Sequence, residues 1–183
     1  MKKYFSLSVL ALLTMLSSNA FAQKSVMVGG APMFPNKNII ENAVNSKDHT
    51  TLVAAVKAAG LVETLQGPGP FTVFAPVNAA FDALAAGTVN TLLKPENKGT
   101  LTSVLTYHVI AARLNSKALE RMIKQGGGRA MLKTVQGGEL TATMSGSEIN
   151  ITDAKGNTAR ITITNVNQSN GVIHVIDRVL LPQ

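Results

Sequence analysis

The feature that most constrains this chain is a change of period at Gly126-Gly127-Gly128. Before it, apolar residues recur at helical spacing; after it, they alternate or run β-branched. Asn36–Asn45 reads as a short helix with Ile39, Ile40 and Val44 on one side. Asp48 or Thr50 can cap a second helix carrying Leu52, Val53, Val56 and Ala59, and Gly60 stops it. Gly67-Pro68-Gly69-Pro70 is a break, and Phe71–Ala75 is a strand ended by Pro76. Asn78–Leu84, Val89–Leu93, Thr100–Thr106 and Ser116–Gln125 follow as helices, with a strand taking over at Tyr107 or His108. Strands come next at Leu140–Met144, Glu148–Thr152, Thr158–Thr164 and Val172–Val179. They are joined by Ser145-Gly146-Ser147 and by Asp153-Ala154-Lys155-Gly156-Asn157. Helices first and mostly antiparallel strands later define an α+β chain rather than an alternating α/β one.

The N-terminus sets the compartment. Lys2 and Lys3 precede an apolar run, Tyr4–Leu16, and Ala20-Phe21-Ala22 has the small residues of a cleavage site. The run is too short to cross a hydrocarbon core of about 30 Å as a helix. Residues 1–22 are therefore expected to be a signal peptide, 23–37 a flexible arm and 38–183 the folded domain. No cysteine is present to carry a lipid or a disulfide, and no apolar tail offers a second anchor. The expected product has no membrane span after cleavage, is periplasmic or secreted, and is held together by its core alone.

Losing Lys2 and Lys3 leaves 15 basic residues against 10 acidic ones, about +5. Arg113, Lys117, Arg121, Lys124, Arg129 and Lys133 lie close together with one acid among them, Glu120. Such a run is either a solvated helical face or a patch for polysaccharide, lipid headgroups or an acidic protein. The export signal and the lack of interleaved aromatics argue against nucleic acid.

Three segments carry a family likeness. They are Thr72-Val73-Phe74-Ala75-Pro76-Val77-Asn78-Ala79-Ala80-Phe81, Leu105-Thr106-Tyr107-His108-Val109-Ile110, and Asn170-Gly171-Val172-Ile173-His174-Val175-Ile176-Asp177-Arg178-Val179-Leu180-Leu181-Pro182. In this order and spacing the chain resembles the fasciclin-like domains. The resemblance covers about Asn38 to Pro182. It implies a wedge of β-strands with a cluster of helices packed on it, a role in adhesion or extracellular recognition, and no cofactor. The partner it implies is an envelope or extracellular protein or an anionic polysaccharide.

Two departures from that family bear on the reading. Val77 stands where relatives usually have Thr, so helix capping is expected to fall to Asn78 or to water, at a cost of about 1 kcal/mol. Animal members tied to cell attachment often carry an Asp-Ile-type pair before the last motif. Here the stretch is Asn165-Val166-Asn167, and there is no Arg-Gly-Asp. In the last strand, alternation puts Val172, His174 and Ile176 on one face and Ile173 and Val175 on the other. His174, and His108 beside Tyr107, are expected as hydrogen-bonded core imidazoles. A recognition role for the Tyr-His pair rests on the resemblance. Asp177 is expected to take a local hydrogen bond or ion pair.

Enzyme signatures are missing: no Gly-x-Ser-x-Gly, no Gly-Lys-Thr/Ser phosphate loop, no His-Glu-x-x-His. The chain is read as a non-enzyme. The alternative is a periplasmic carrier of a small ligand or metal. It would draw on His49, His108 and His174 with Met27, Met33, Met122, Met131 and Met144, none of them at close ligand spacing.

Overall fold

The computed structural model describes residues 24–183, so the expected signal peptide lies outside the described residues. The first ordered element corrects the flexible arm expected over 23–37. Strands β1 (Val26–Val28) and β2 (Ala31–Met33) form an antiparallel hairpin through Gly29-Gly30. Val28 and Met33 are buried in the core, and Asn42 ties Phe34 down through its backbone N–H (2.9 Å) and carbonyl (2.8 Å). Apolar burial at both ends of so short a hairpin is what orders it.

Among the described residues there are seven α-helices: α1 (Ile39–Ala43), α2 (Thr50–Ala59), α3 (Val62–Gln66), α4 (Asn78–Asp82), α5 (Thr88–Leu92), α6 (Lys98–Tyr107) and α7 (Ser116–Gln125); α3 is the one not expected from the pattern. Asn38 caps α1 in a reciprocal box with Glu41, and Gly60 closes α2 in the left-handed conformation. The strands are β3 (Phe71–Pro76), β4 (Val109–Ile110), β5 (Arg129–Lys133), β6 (Glu139–Ser145), β7 (Glu148–Thr152), β8 (Thr158–Gln168) and β9 (Gly171–Ile176). Three differ from expectation. β9 spans Gly171–Ile176 and stops short of the expected Val179. β5 was not anticipated, although Arg-Ala-Met-Leu-Lys alternates. β8 runs past Thr164 because Asn165, at φ 58°, absorbs an irregularity that lets pairing resume at Val166.

The seven strands run in the order β4-β3-β9-β8-β7-β6-β5. Only β3 and β9 pair in parallel, with Phe74 opposite His174. β8 serves both halves of the sheet: residues 158–160 pair with β7, and residues from 161 onward pair with β9. This α+β wedge, mostly antiparallel with helices packed on it, is the expected fold class.

The core has two compartments. In one, α1, α2, α4 and α6 pack on Val73, Ala75, Ile173 and Val175. In the other, Leu119 and Ile123 of α7 meet Leu132, Leu140, Ile151 and Ile176 with Phe74 and Tyr107. β9 is covered on both faces, and every one of its residues is buried.

Candidate functional site

The motif residues build the interior. His108 follows α6, and each ring nitrogen has a backbone partner. Nδ1 donates to the Val104 carbonyl at 2.8 Å, and Nε2 accepts the Leu180 N–H at 3.0 Å. Burial lowers its pKa to about 4, against weaker raising effects of the Val104 carbonyl and Asp153. The ring is a neutral strut between α6 and the C-terminal segment. Replacing His108 with Ala removes both bonds and strands a buried N–H. A loss of about 3 kcal/mol is expected in urea unfolding, with binding at the surface unchanged in the folded fraction.

His174 is fully buried in the same manner. Its Nε2 donates to the Leu114 carbonyl at 2.8 Å, and its ring stacks on Phe74 with centroids 5.9 Å apart. Burial lowers its pKa, opposed by the Leu114 carbonyl. Tyr107, also fully buried, donates to the Glu139 carbonyl (2.7 Å) and accepts the Ala154 N–H (3.0 Å). Tyr107, His108 and His174 are thus buried and offer no contact surface to a partner.

Asn78 does something sequence reasoning missed. It does not cap its own helix; Val77 sits at that N-cap with no side-chain bond. Asn78 Oδ1 instead accepts the Thr51 N–H (3.0 Å) and the Thr50 hydroxyl (3.2 Å), while Nδ2 donates to the Lys47 carbonyl (2.8 Å). It caps α2 from a distance in sequence. Asp177 pairs with Arg160 of β8 rather than with Arg178: Oδ1 accepts the Arg160 N–H at 2.8 Å, and Oδ2 lies 3.5 Å from Nε.

Three further polar hubs gave no local signal. Asp153 accepts the Lys155, Asn157 and Leu181 N–H groups, closing its turn and pinning the C-terminal segment. Buried Asn42 donates to Gln168 Oε1 and so joins α1 to β8. Asn170, which precedes Gly171 at the start of β9, reaches two helices. It accepts the Ile39 N–H (3.1 Å) and donates to the Leu65 (2.8 Å) and Gly67 (2.9 Å) carbonyls.

The basic run is divided by the fold. Lys117, Arg121 and Lys124 are exposed on the side of α7 opposite buried Leu119 and Ile123. Arg129 and Lys133 are exposed on β5, whose alternate residues Ala130 and Leu132 face α7. They therefore point from the other face of the sheet. Arg113 is tethered, donating to the Gln168 (2.9 Å) and Ser169 (3.2 Å) carbonyls.

The groups proposed for a carrier lie apart. His49 sits in a turn before α2, His108 after α6 and His174 in β9. The methionines occupy β1, β2, α7, β5 and β6. Buried His49 keeps Nδ1 on the Ser46 hydroxyl at 2.9 Å, and its Nε2 has no hydrogen-bond partner. Among the described residues no three His, Cys, Asp or Glu side chains group as a metal site. An apolar slot between α2, α3 and α6, bordered by Val53, Lys57, Val62 and Thr106, holds about 60 Å³. That is below the roughly 150 Å³ that admits benzene.

Comparison with known proteins fits this architecture. The fasciclin domain family model matches residues 47–182. The chain belongs to the fasciclin domain family. It is 44% identical over 160 residues to "Protein sll1483" of Synechocystis, covering 87% of this chain and 82% of that one. It is 37% identical to "Immunogenic protein MPB70" of Mycobacterium bovis, over 76% of this chain and 66% of that protein. "Cell surface glycolipoprotein MPB83" of the same species is 34% identical, over 76% of this chain and 58% of that protein. The solved structure of a domain pair from the insect cell adhesion molecule fasciclin I shares the fold. It has a TM-score of 0.73 at 17% identity, over 81% of this chain and 52% of that one.

Proposed function

We propose that the chain is an exported, non-enzymatic recognition module of the cell envelope, acting in the periplasm or outside the cell in adhesion or in contacts with protein or polysaccharide. The observation that carries this reading is the use of its polar motif residues. Tyr107, His108 and His174 spend their polar atoms on backbone partners inside the core. No free imidazole or phenol there can act as base, nucleophile or ligand. Function then falls to the surface. A relative described as a cell surface glycolipoprotein and a fold shared with a cell adhesion molecule support the same placement. Among the described residues, no helix is long and apolar enough to cross a membrane.

Deleting the gene tests this. Reduced surface attachment and biofilm, with an envelope component recovered by crosslinking to the protein, is the expected result. Unchanged attachment with nothing crosslinked would sink the reading. Native mass spectrometry of protein taken from its own envelope fraction separates the carrier alternative. A reproducible added mass, with the slot beside α2 opened to hold it, would replace recognition with transport.

A further inference from the structure

We infer that the outward face of α7 is a docking strip for a linear, carboxylate-bearing polysaccharide of the polyuronate type; this rests on the recognition reading above. Lys117, Arg121 and Lys124 stand at i, i+4 and i+7, so their Cα atoms advance along the axis by about 6 Å and then about 4.5 Å. A polyuronate carries one carboxylate on every ring, successive ones turned to different sides. A row of cations only a few ångströms apart can meet several of them along one extended chain, because the long lysine and arginine stems reach to either side.

The cations are uncommitted. Ion pairs among the described residues join Arg160 to Glu148 and Asp177, and none involves α7. Glu120, half-buried beside the strip, is the one acid on the helix. The strip is also held rigid. Asn115 caps α7 by accepting the Ala118 N–H (2.8 Å). Asn165 locks its first turn, accepting the Ser116 N–H (2.7 Å) and donating to the Ser116 hydroxyl (2.8 Å). Leu119 and Ile123 anchor the underside. Binding then costs little ordering beyond the three side chains. Tethered Arg113 continues the positive charge beyond the N-terminal end.

Other anionic partners fit less well. A helix that lies on a membrane turns Leu, Phe or Trp toward the lipid, but the large apolar residues of α7 are turned into the core. A protein interface is centred on buried aromatic or aliphatic anchors, and the strip has none. Neutral glycans need aromatic platforms. The chain has no tryptophan, and among the described residues the exposed aromatic is Phe34, beside the N-terminal hairpin.

The fold supplies a control, because Arg129 and Lys133 point from a different face. The Lys117→Gln/Arg121→Gln/Lys124→Gln variant and the Arg129→Gln/Lys133→Gln/Lys155→Gln variant remove equal charge from exposed positions. Thermal midpoints close to that of the parent confirm that both are folded. Calorimetric titration with polygalacturonate, neutral dextran and phosphatidylglycerol vesicles should give binding to polygalacturonate alone. The α7 variant should weaken it about ten- to a hundredfold and flatten its salt dependence, with the β5 variant within about threefold of the parent. Equal losses in the two variants would reduce the effect to net charge and overturn the strip. So would no binding by the parent, or tighter binding to vesicles than to polygalacturonate. If the strip fails while gene deletion still impairs attachment, recognition stands and lies elsewhere on the surface.

Discussion

Lowering the pH from about 7 to about 4.5 is expected to remove about 2.5 kcal/mol of folding stability through His108 alone, with His49 and His174 adding to the loss in the same direction. Three buried histidines are the cause. Burial lowers the pKa of His49, His108 and His174 below the ordinary 6.5, in the case of His108 to about 4. For His49 the effect outweighs opposing contributions from the Ala75 backbone and Asp48. The sign follows from linkage. Above pH 6.5 each imidazole is neutral in both states and the stability is fully present. As pH falls below that value the unfolded chain takes up protons that the folded chain refuses, and stability drains away until the folded pKa is reached. At about 1.4 kcal/mol per unit, His108 alone accounts for roughly 3 kcal/mol across its window. Urea titrations at about pH 7 and pH 5 check this. Unfolding near pH 5 should take up about one proton through His108, and more through His49 and His174. A urea midpoint unchanged between those pH values would show that the imidazoles are solvated or already charged.

Replacing Asn170 with Ala should cost about 3–4 kcal/mol, far more than a surface turn residue normally commands. Its amide serves the first N–H of α1 and two carbonyls at the end of α3, all partly buried. Its own carbonyl accepts the Phe71 N–H that starts β3. Alanine leaves three backbone groups without partners at the junction of two helices and the central strands. Asn170→Asp should not rescue it, because the carboxylate oxygen that replaces Nδ2 faces the Leu65 and Gly67 carbonyl oxygens. Urea unfolding is the readout, and a loss below about 1 kcal/mol would mean that water replaces the amide.

How far these features were legible depends on the range of the interaction behind them. The switch of period at the triple glycine carried the α+β class, since amphipathic faces are local patterns. The two faces of β9 followed from alternation: Ile173 and Val175 join one core compartment and Ile176 the other. Three-dimensional partners were not legible. Asn78 looked like a cap for the helix it begins, yet it caps a helix some thirty residues earlier. Asn170 reads as a turn from its neighbour Gly171, while its amide is committed more than a hundred residues away. The basic run looked continuous because it is continuous in sequence. Alternation across Arg129–Lys133 already contained the evidence that it divides. The Gly29-Gly30 turn was likewise visible, but Val28 and Met33 could be placed in the core only once α1 lay beneath them.

β9 lies inside the sheet between β3 and β8, and among the described residues it follows every other strand in sequence. A nascent chain that stops short of Gly171 holds β3 and β8 apart with nothing to join them, and both core compartments stay open along their shared wall. Assembly of the sheet therefore waits for β9, whatever helices have formed before it. Loop-closure entropy is spent over nearly the whole length before its reward arrives. A domain connected in this order closes in one late step, when β9 enters between its two neighbours.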